Sequence, residues 1–354
     1  MGDILATGDT ILKVEAGGYN LTSKFPALYV KEDAHTGNPT VEIREITIDD
    51  LPPDDVLIEV HYSDVNYKDA LATQPSSRVV QHYPIIPGID LSGVIIESRN
   101  PRFREGDQVL VTGYDLGTAH FGGLSRYARV PADWVVPLPK GLSLWDAMAL
   151  GTAGFTAALA MDALQMHGVR PESGAVLVTG ASGGAGSMAV NMLADQHYEV
   201  AASTGKTALD YLAALGASQI LYRDEVSVPS KRPLDHEKWA GGIDSIGGTT
   251  LEYLLRTTRY GGAIAAFGMR GGTQISTSVF PFILRGVHLL GIDSVYCPYD
   301  YRQEIWRRLG SDWKPSQLHR IAQNTVRLHE LPHVLEQLLQ GSHLGRTVVD
   351  LIRS

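Results

Sequence analysis

The chain has 354 residues, 44% hydrophobic and 19% charged, and a formal net charge of −9. No run of Lys or Arg is dense enough to track a phosphate backbone, and no uninterrupted apolar run approaches the ~20 residues of a membrane helix, so neither nucleic acid nor a bilayer is an expected partner. One cysteine, Cys297, excludes an internal disulfide and fits a cytoplasmic setting, while the length suggests two domains.

Residues 1–26 precede the first convincing strand and lack the charged start and apolar core of a signal peptide. They are read as an N-terminal extension without an assigned role. From Ala27 to residue 149 short strands alternate apolar with polar residues: Ala27–Val30, Val41–Ile46, Val56–Tyr62, Leu91–Glu97, Gln108–Gly113 and Ser125–Val130. Turn residues separate them, such as Pro52-Pro53-Asp54-Asp55 and Glu105-Gly106-Asp107. Evenly spaced short strands predict a small β-barrel over 27–149.

The texture changes near residue 150. Val176 to Gly186 reads as a short apolar strand, a glycine cluster and the start of a small-residue helix. Glycines let a backbone approach an anion, and a helix N-terminus offers unpaired N–H groups to phosphate. The same residues, Gly180-Ala181-Ser182-Gly183-Gly184, also fit the G-x-S-x-G elbow of α/β-hydrolases. The following strand separates the two readings. Glu199–Ser203 ends in Ser203-Thr204-Gly205-Lys206, with no carboxylate to repel a ribose 2′-phosphate. Lys206, and Arg223 after the next strand Gln219–Tyr222, add positive charge, which favours NADPH over NADH. Further runs at Gly242–Ser245, Gly262–Gly268 and Val287–Ile292 alternate with helical stretches such as Thr249–Thr257. That pattern predicts an α/β fold with a doubly wound parallel sheet over 150–314. Residues 315–354 carry a helix, Pro332–Gln340, and a strand, Arg346–Leu351, expected to return to the barrel.

Several motifs in fixed order carry a family resemblance. They are Asn66-Tyr67-Lys68-Asp69, Ile86-Pro87-Gly88-Ile89-Asp90-Leu91-Ser92-Gly93, Gly151-Thr152-Ala153-Gly154-Phe155-Thr156-Ala157, the glycine loop, and the stretch from Pro281 to Val295. The chain resembles the medium-chain dehydrogenase/reductase superfamily, and within it the acryloyl-CoA reductase and quinone-oxidoreductase-like group. That resemblance implies a GroES-like barrel joined to a Rossmann domain. Zinc members place a cysteine where Asn66 stands and a His-Glu pair at Ile89-Asp90. With one distant cysteine and no H-x-x-H spacing among twelve histidines, this chain is expected to bind no metal.

Without a Lewis acid, reduction of an activated double bond is the accessible chemistry, with hydrogen-bond donors stabilising the developing oxyanion. Asn66 and Tyr67 are the candidate catalytic donors, and the resemblance puts Tyr67 at the nicotinamide. Asp69 reads as a first-turn carboxylate facing the helix dipole, and Asp90 as a position bonding a backbone turn. Ser182, Gly183, Gly184 and Ala185 are expected at the diphosphate, and Ser203, Lys206 and Arg223 at the 2′-phosphate. Thr156, the Met269 backbone, Ser294 and Arg346 are further candidate cofactor contacts. The expected reaction is NADPH-dependent conversion of acryloyl-CoA to propanoyl-CoA. The alternatives are a quinone or enone reductase and a non-catalytic NADPH-binding protein. Arg126, Arg129, Arg302, Arg307 and Arg308 are loose candidates for the CoA phosphate. The apolar stretch Gly286–Val295 suggests a homodimer edge.

Overall fold

The computed structural model describes residues 24–75 and 77–354, so the expected N-terminal extension lies, as far as residue 23, outside the described residues. The first lobe contains β1 (Phe25–Glu32), β2 (Pro39–Ile46), β3 (Val56–Asp64), α1 (Tyr67–Leu71), β4 (Asp90–Ser98), β5 (Gln108–Thr112), β6 (Tyr127–Val130) and β7 (Val136–Pro137). Helix α2 (Leu144–Met166) leads out of it. The second lobe follows as β8 (Val176–Val178), α3 (Gly184–Asp195), β9 (Val200–Thr204), α4 (Leu209–Ala214), β10 (Gln219–Tyr222), β11 (Trp239–Asp244), α5 (Thr249–Thr257), β12 (Thr258–Ala266), α6 (Phe280–Arg285), β13 (His288–Gly291) and α7 (Tyr299–Leu309). The tail supplies α8 (Leu318–Ile321), β14 (Asn324–Arg327), α9 (Leu331–Gln340) and β15 (Thr347–Asp350).

Alternation along β3 organises the first lobe. Val56, Ile58 and Val60 face one core with Leu91, Ile95, Val109 and Leu124, while Leu57 faces a second with Phe25, Ile86 and Ile96. Each fully buried aliphatic side chain contributes roughly 1.5–3 kcal/mol. The sheet runs β14-β15-β3-β4-β5-β7, with β6 also on β3. Its β6 neighbour pairs with the first half of β3, Val56 to Glu59, and β15 with the end, Tyr62 to Asp64. Register shifts at Leu57/Ile58 and Val60/Tyr62 bend the sheet against β4. The tail thus belongs to the first lobe's sheet, and Leu331, Val334 and Leu335 of α9 enter its core.

All six strands of the second sheet run parallel, in the order β10-β9-β8-β11-β12-β13. Counted from β8 this is 3-2-1-4-5-6, and the order reverses between β8 and β11. The crevice beyond the ends of those two strands is where such sheets bind ligands. Ser143 and Asp146 cap α2 reciprocally, with bonds of 2.9–3.0 Å. By length and apolarity α2 is long enough to cross a membrane, but 83% of its apolar window is buried in the protein. It is a core helix packed against α3, β8 and α7.

Candidate active site

After β8 the chain turns through Gly180 at φ +60°, where glycine is favoured. A Cβ there would stand 2.4 Å from Ser245 Oγ, and one on Gly186 2.3 Å from Gly180 O, so strand, turn and helix close together without side chains. At Gly183 a Cβ would meet only Gly180 O, at an ordinary 3.4 Å. The space above is a cavity of about 230 Å³ lined by Ser182, Gly183, Gly184 and Ala185. Helix α3 starts there with no side-chain cap and no acidic first-turn residue. Its first N–H groups and positive dipole end therefore present an anion site. The Ser182 hydroxyl is buried and shares a 2.8 Å hydrogen bond with the Thr204 hydroxyl. A hydrolase nucleophile needs a base at that position, so the elbow alternative lacks its partner.

Ser203, Lys206, Arg223 and Arg270 line the same cavity. Lys206 donates to the His343 carbonyl and Arg223 lies across Gly205, where a Cβ would sit 2.4 Å from its Nη2. Among the described residues none of the three cations has a carboxylate within 4.0 Å. Burial pushes the Lys206 ammonium below its ordinary value, and Arg270 and Arg223 push it further. Arg270 escapes sequence reasoning. Its only signal is position, four residues past the end of β12, at the carboxyl side of the sheet.

A second cluster surrounds Asn66. Asp64, Asp69 and Asp90 are each at most 1% exposed, and Arg346 is 3% exposed. Asn66 Nδ2 donates to Asp64 Oδ1 (2.5 Å) and Asp90 Oδ2 (2.8 Å), and Asn66 Oδ1 accepts from Arg346 Nη1 (3.0 Å). Both amide hydrogens are thus committed, and the expectation that Asn66 donates to a substrate oxygen is corrected: it ties carboxylates together. Asp69 accepts from the amides of Asn66 (2.7 Å), Gly88 (3.0 Å) and Ile89 (3.1 Å), fastening α1 to the turn before β4. Burial lifts its carboxyl to about 7 against the pull of those amides. Burial also holds Asp64 well above the usual carboxylate range, despite its 2.5 Å ion pair with Arg346 Nη2. One guanidinium thus faces three buried carboxyl groups.

Gly151 makes the cluster possible. It interrupts α2 at φ +51°, ψ −160°, and a Cβ there would lie 1.9 Å from Asp64 Oδ2. The next residue, Thr152, then donates its N–H (2.7 Å) and hydroxyl (2.5 Å) to Asp90.

The remaining expected contacts divide. Tyr67 is 40% exposed, its ring 5.5 Å from the Arg270 guanidinium, and its hydroxyl has no partner among the described residues. Thr156 is corrected: its buried hydroxyl donates to Thr152 O (2.6 Å) within the helix and does not line the cavity. Arg346 stands behind the glycine loop, where a Cβ on Gly184 would be 2.8 Å from its Cδ, with its charge turned toward Asp64. Met269 is 69% exposed outside the cavity lining, and Ser294, also outside it, accepts at its carbonyl from Arg302 (3.1 Å). Of the arginines considered for a CoA phosphate, Arg126 pairs with Glu59, Arg307 with Glu304 and Arg308 with Asp162, while Arg302 is buried.

A reversed-order parallel sheet with a glycine loop at its switch point, joined to a bent, mostly antiparallel sheet, defines a two-lobed dinucleotide-type oxidoreductase fold. Residues 52–140 match the alcohol dehydrogenase GroES-like domain family and residues 184–311 the zinc-binding dehydrogenase family. The chain is 46% identical over 328 residues to the acrylyl-CoA reductase AcuI of Ruegeria pomeroyi, covering 92% of this chain and 99% of that protein. It is similar to the crystal structure of Bacillus subtilis yhfP with NAD bound (TM-score 0.90, 48% identity, 93% of this chain and 100% of that chain). The yhdH oxidoreductase of Salmonella enterica in complex with NADP gives a TM-score of 0.89 at 43% identity, over 92% and 99% of the two chains. The protein belongs to the medium-chain dehydrogenase/reductase superfamily, in its quinone-oxidoreductase-like group, and is an NAD(P)-dependent oxidoreductase.

Proposed function

We propose that the protein is an NADPH-dependent reductase of an activated C=C bond that converts acryloyl-CoA to propanoyl-CoA. The observation that carries the cofactor choice is the trio Lys206, Arg223 and Arg270, three cations on one cavity with no carboxylate within 4.0 Å among the described residues. A 2′-phosphate is the anion that relieves their repulsion. The substrate rests on the likeness to the acrylyl-CoA reductase of Ruegeria pomeroyi.

Bound NADPH supplies a hydride for the β-carbon of the acryloyl group. The N–H groups at the start of α3 hold the diphosphate. The Tyr67 hydroxyl donates to the thioester oxygen as negative charge develops there, and a proton from solvent then reaches the α-carbon. Asn66 and Asp69 keep Tyr67 in place by locking the start of α1. The groups around Asn66 are an amide and carboxylates already bonded to Arg346 and Thr152, not the thiolates and imidazoles that tetrahedral zinc prefers. Stabilisation of the oxyanion is therefore assigned to hydrogen bonding. Two copies pair through the exposed edge strand β13 to form a homodimer.

The test follows NADPH absorbance with acryloyl-CoA, crotonyl-CoA and a small quinone in parallel, with NADH as control. Fastest turnover with acryloyl-CoA and NADPH supports the proposal. Turnover with the quinone alone assigns the site to quinone reduction, and tight NADPH binding without turnover makes the chain a cofactor-binding protein.

A further inference from the structure

Beside α1 the lobes border a second, open cleft, of about 360 Å³, that shares no lining residue with the dinucleotide cavity. Tyr114, Asp115 and Thr118, from the loop after β5, form one wall. Asp293 and Tyr296, after β13, belong to the other, and Lys68 adjoins Tyr67. The Tyr296 hydroxyl donates to Asp115 Oδ1 (2.9 Å), joining the lobes.

The wall is held with unusual force. Tyr114 sits at φ +52°, a strained conformation for a bulky residue. Its ring lies between the Trp134 indole, stacked at 5.4 Å, and the Arg302 guanidinium at 4.4 Å. Arg302 is 0% exposed and has no carboxylate within 4.0 Å among the described residues. It donates to Thr112 O (2.7 Å) and Oγ1 (3.0 Å) on one wall and to Ser294 O (3.1 Å) and Val295 O (2.9 Å) on the other, and its Nε has no partner among the described residues. A buried cation bonded only to neutral groups is costly, and an apolar side chain would fold more cheaply there. What this one achieves is to fasten the walls to each other and fix Tyr114.

We propose that this cleft receives the pantetheine arm of an acyl-thioester substrate. At ~30 Å³ per water-sized group it has room for about a dozen such groups, enough for a stretch of an extended amide chain. Its polar lining matches an arm with two amides: Lys68 and Gln81 offer donors, while the Thr118 hydroxyl, which itself donates to Asp115 O (3.1 Å), accepts amide N–H groups together with Asp115 and Asp293. Those charges leave one excess negative, which excludes a phosphate and places the nucleotide end of CoA outside. The inference rests on the thioester-reductase reading and deepens it.

The experiment compares acryloyl-CoA, acryloyl-pantetheine and S-ethyl thioacrylate on the wild type, Thr118→Val, Gln81→Ala and Tyr114→Gly, the last keeping a residue that tolerates positive φ. In the wild type kcat/KM should fall about 100-fold from acryloyl-pantetheine to S-ethyl thioacrylate, because remote binding energy is lost. Thr118→Val and Gln81→Ala should each lower kcat/KM about tenfold for the armed substrates, with S-ethyl thioacrylate and NADPH affinity changing less than about twofold. Tyr114→Gly should raise KM for the armed substrates only. Equal effects on armed and armless substrates, or a wild type indifferent to the arm, overturn the cleft assignment while the reductase reading survives. Failure to reduce any thioester, with NADPH still bound, overturns both.

Discussion

Replacing Arg223 by Gln removes one of three cations from the dinucleotide cavity while keeping a side chain of similar length. A hydrogen bond to a charged group contributes ~1.5–3 kcal/mol, so NADPH dissociation should rise about 10- to 150-fold. NADH lacks the phosphate, and its affinity should move by less than about threefold. The free protein should not lose stability, because Lys206 and Arg270 are then relieved of a like charge. Gly205→Ala offers a second perturbation of the same contact. Its new Cβ would stand 2.4 Å from Arg223 Nη2, and the flexible guanidinium must move aside. It should weaken NADPH in the same direction by a smaller factor. Fluorescence titration with both cofactors at two salt concentrations measures these effects, and the salt dependence of NADPH binding should flatten in Arg223→Gln. Equal losses for NADPH and NADH, or no loss for either, would refute the assignment of the cations to a 2′-phosphate.

Gly151→Ala should destabilise the protein by at least about 3 kcal/mol in denaturant unfolding, since it combines backbone strain with displacement of the buried Asp64–Arg346 pair; a change below 1 kcal/mol, ~, would show that the cluster yields easily. Burial, then Arg346 and Lys206, lower His343 to about 4. The unfolded chain therefore takes up that proton first, so stability is intact above the ordinary value of 6.5 and is lost as pH falls toward 4. Between pH 7 and 5 this amounts to at most about 2 kcal/mol. His343→Gln should lack that loss, and melting curves that shift in parallel for variant and wild type contradict it. Leu289→Arg, on the exposed edge of β13, should yield monomers by light scattering, and an unchanged dimer would move the interface elsewhere.

Most strands were legible because each is a local pattern. Val56 to Tyr62 alternates faces, and Gln219–Tyr222 is bounded by turn residues. The glycine loop was legible for a similar reason, since its strand, turn and helix are contiguous. Lys206 and Arg223 could be found because they follow sheet strands at the edge where ligands bind. Arg270 obeys the same rule but lay hidden beside Met269, whose backbone drew the inference instead. The carboxylate cluster was not legible. Its members come from positions 64, 66, 69, 90 and 346, and only the folded chain shows that the amide of Asn66 is already bonded. Arg302 read only as a loose candidate for the CoA phosphate. Its burial follows from packing between Tyr114 and Phe155, a contact between lobes that no local pattern announces.

Strand β15 is the last strand in chain order among the described residues, yet it occupies the interior of the first sheet between β14 and β3. On a ribosome, β3 emerges almost three hundred residues ahead of this neighbour. Half of its edge must wait unpaired until β15 is made, open to strands of other chains. Loss of β15 would therefore injure the lobe that contains β3, and leave the parallel sheet made between the two strands with its own hydrogen bonds complete.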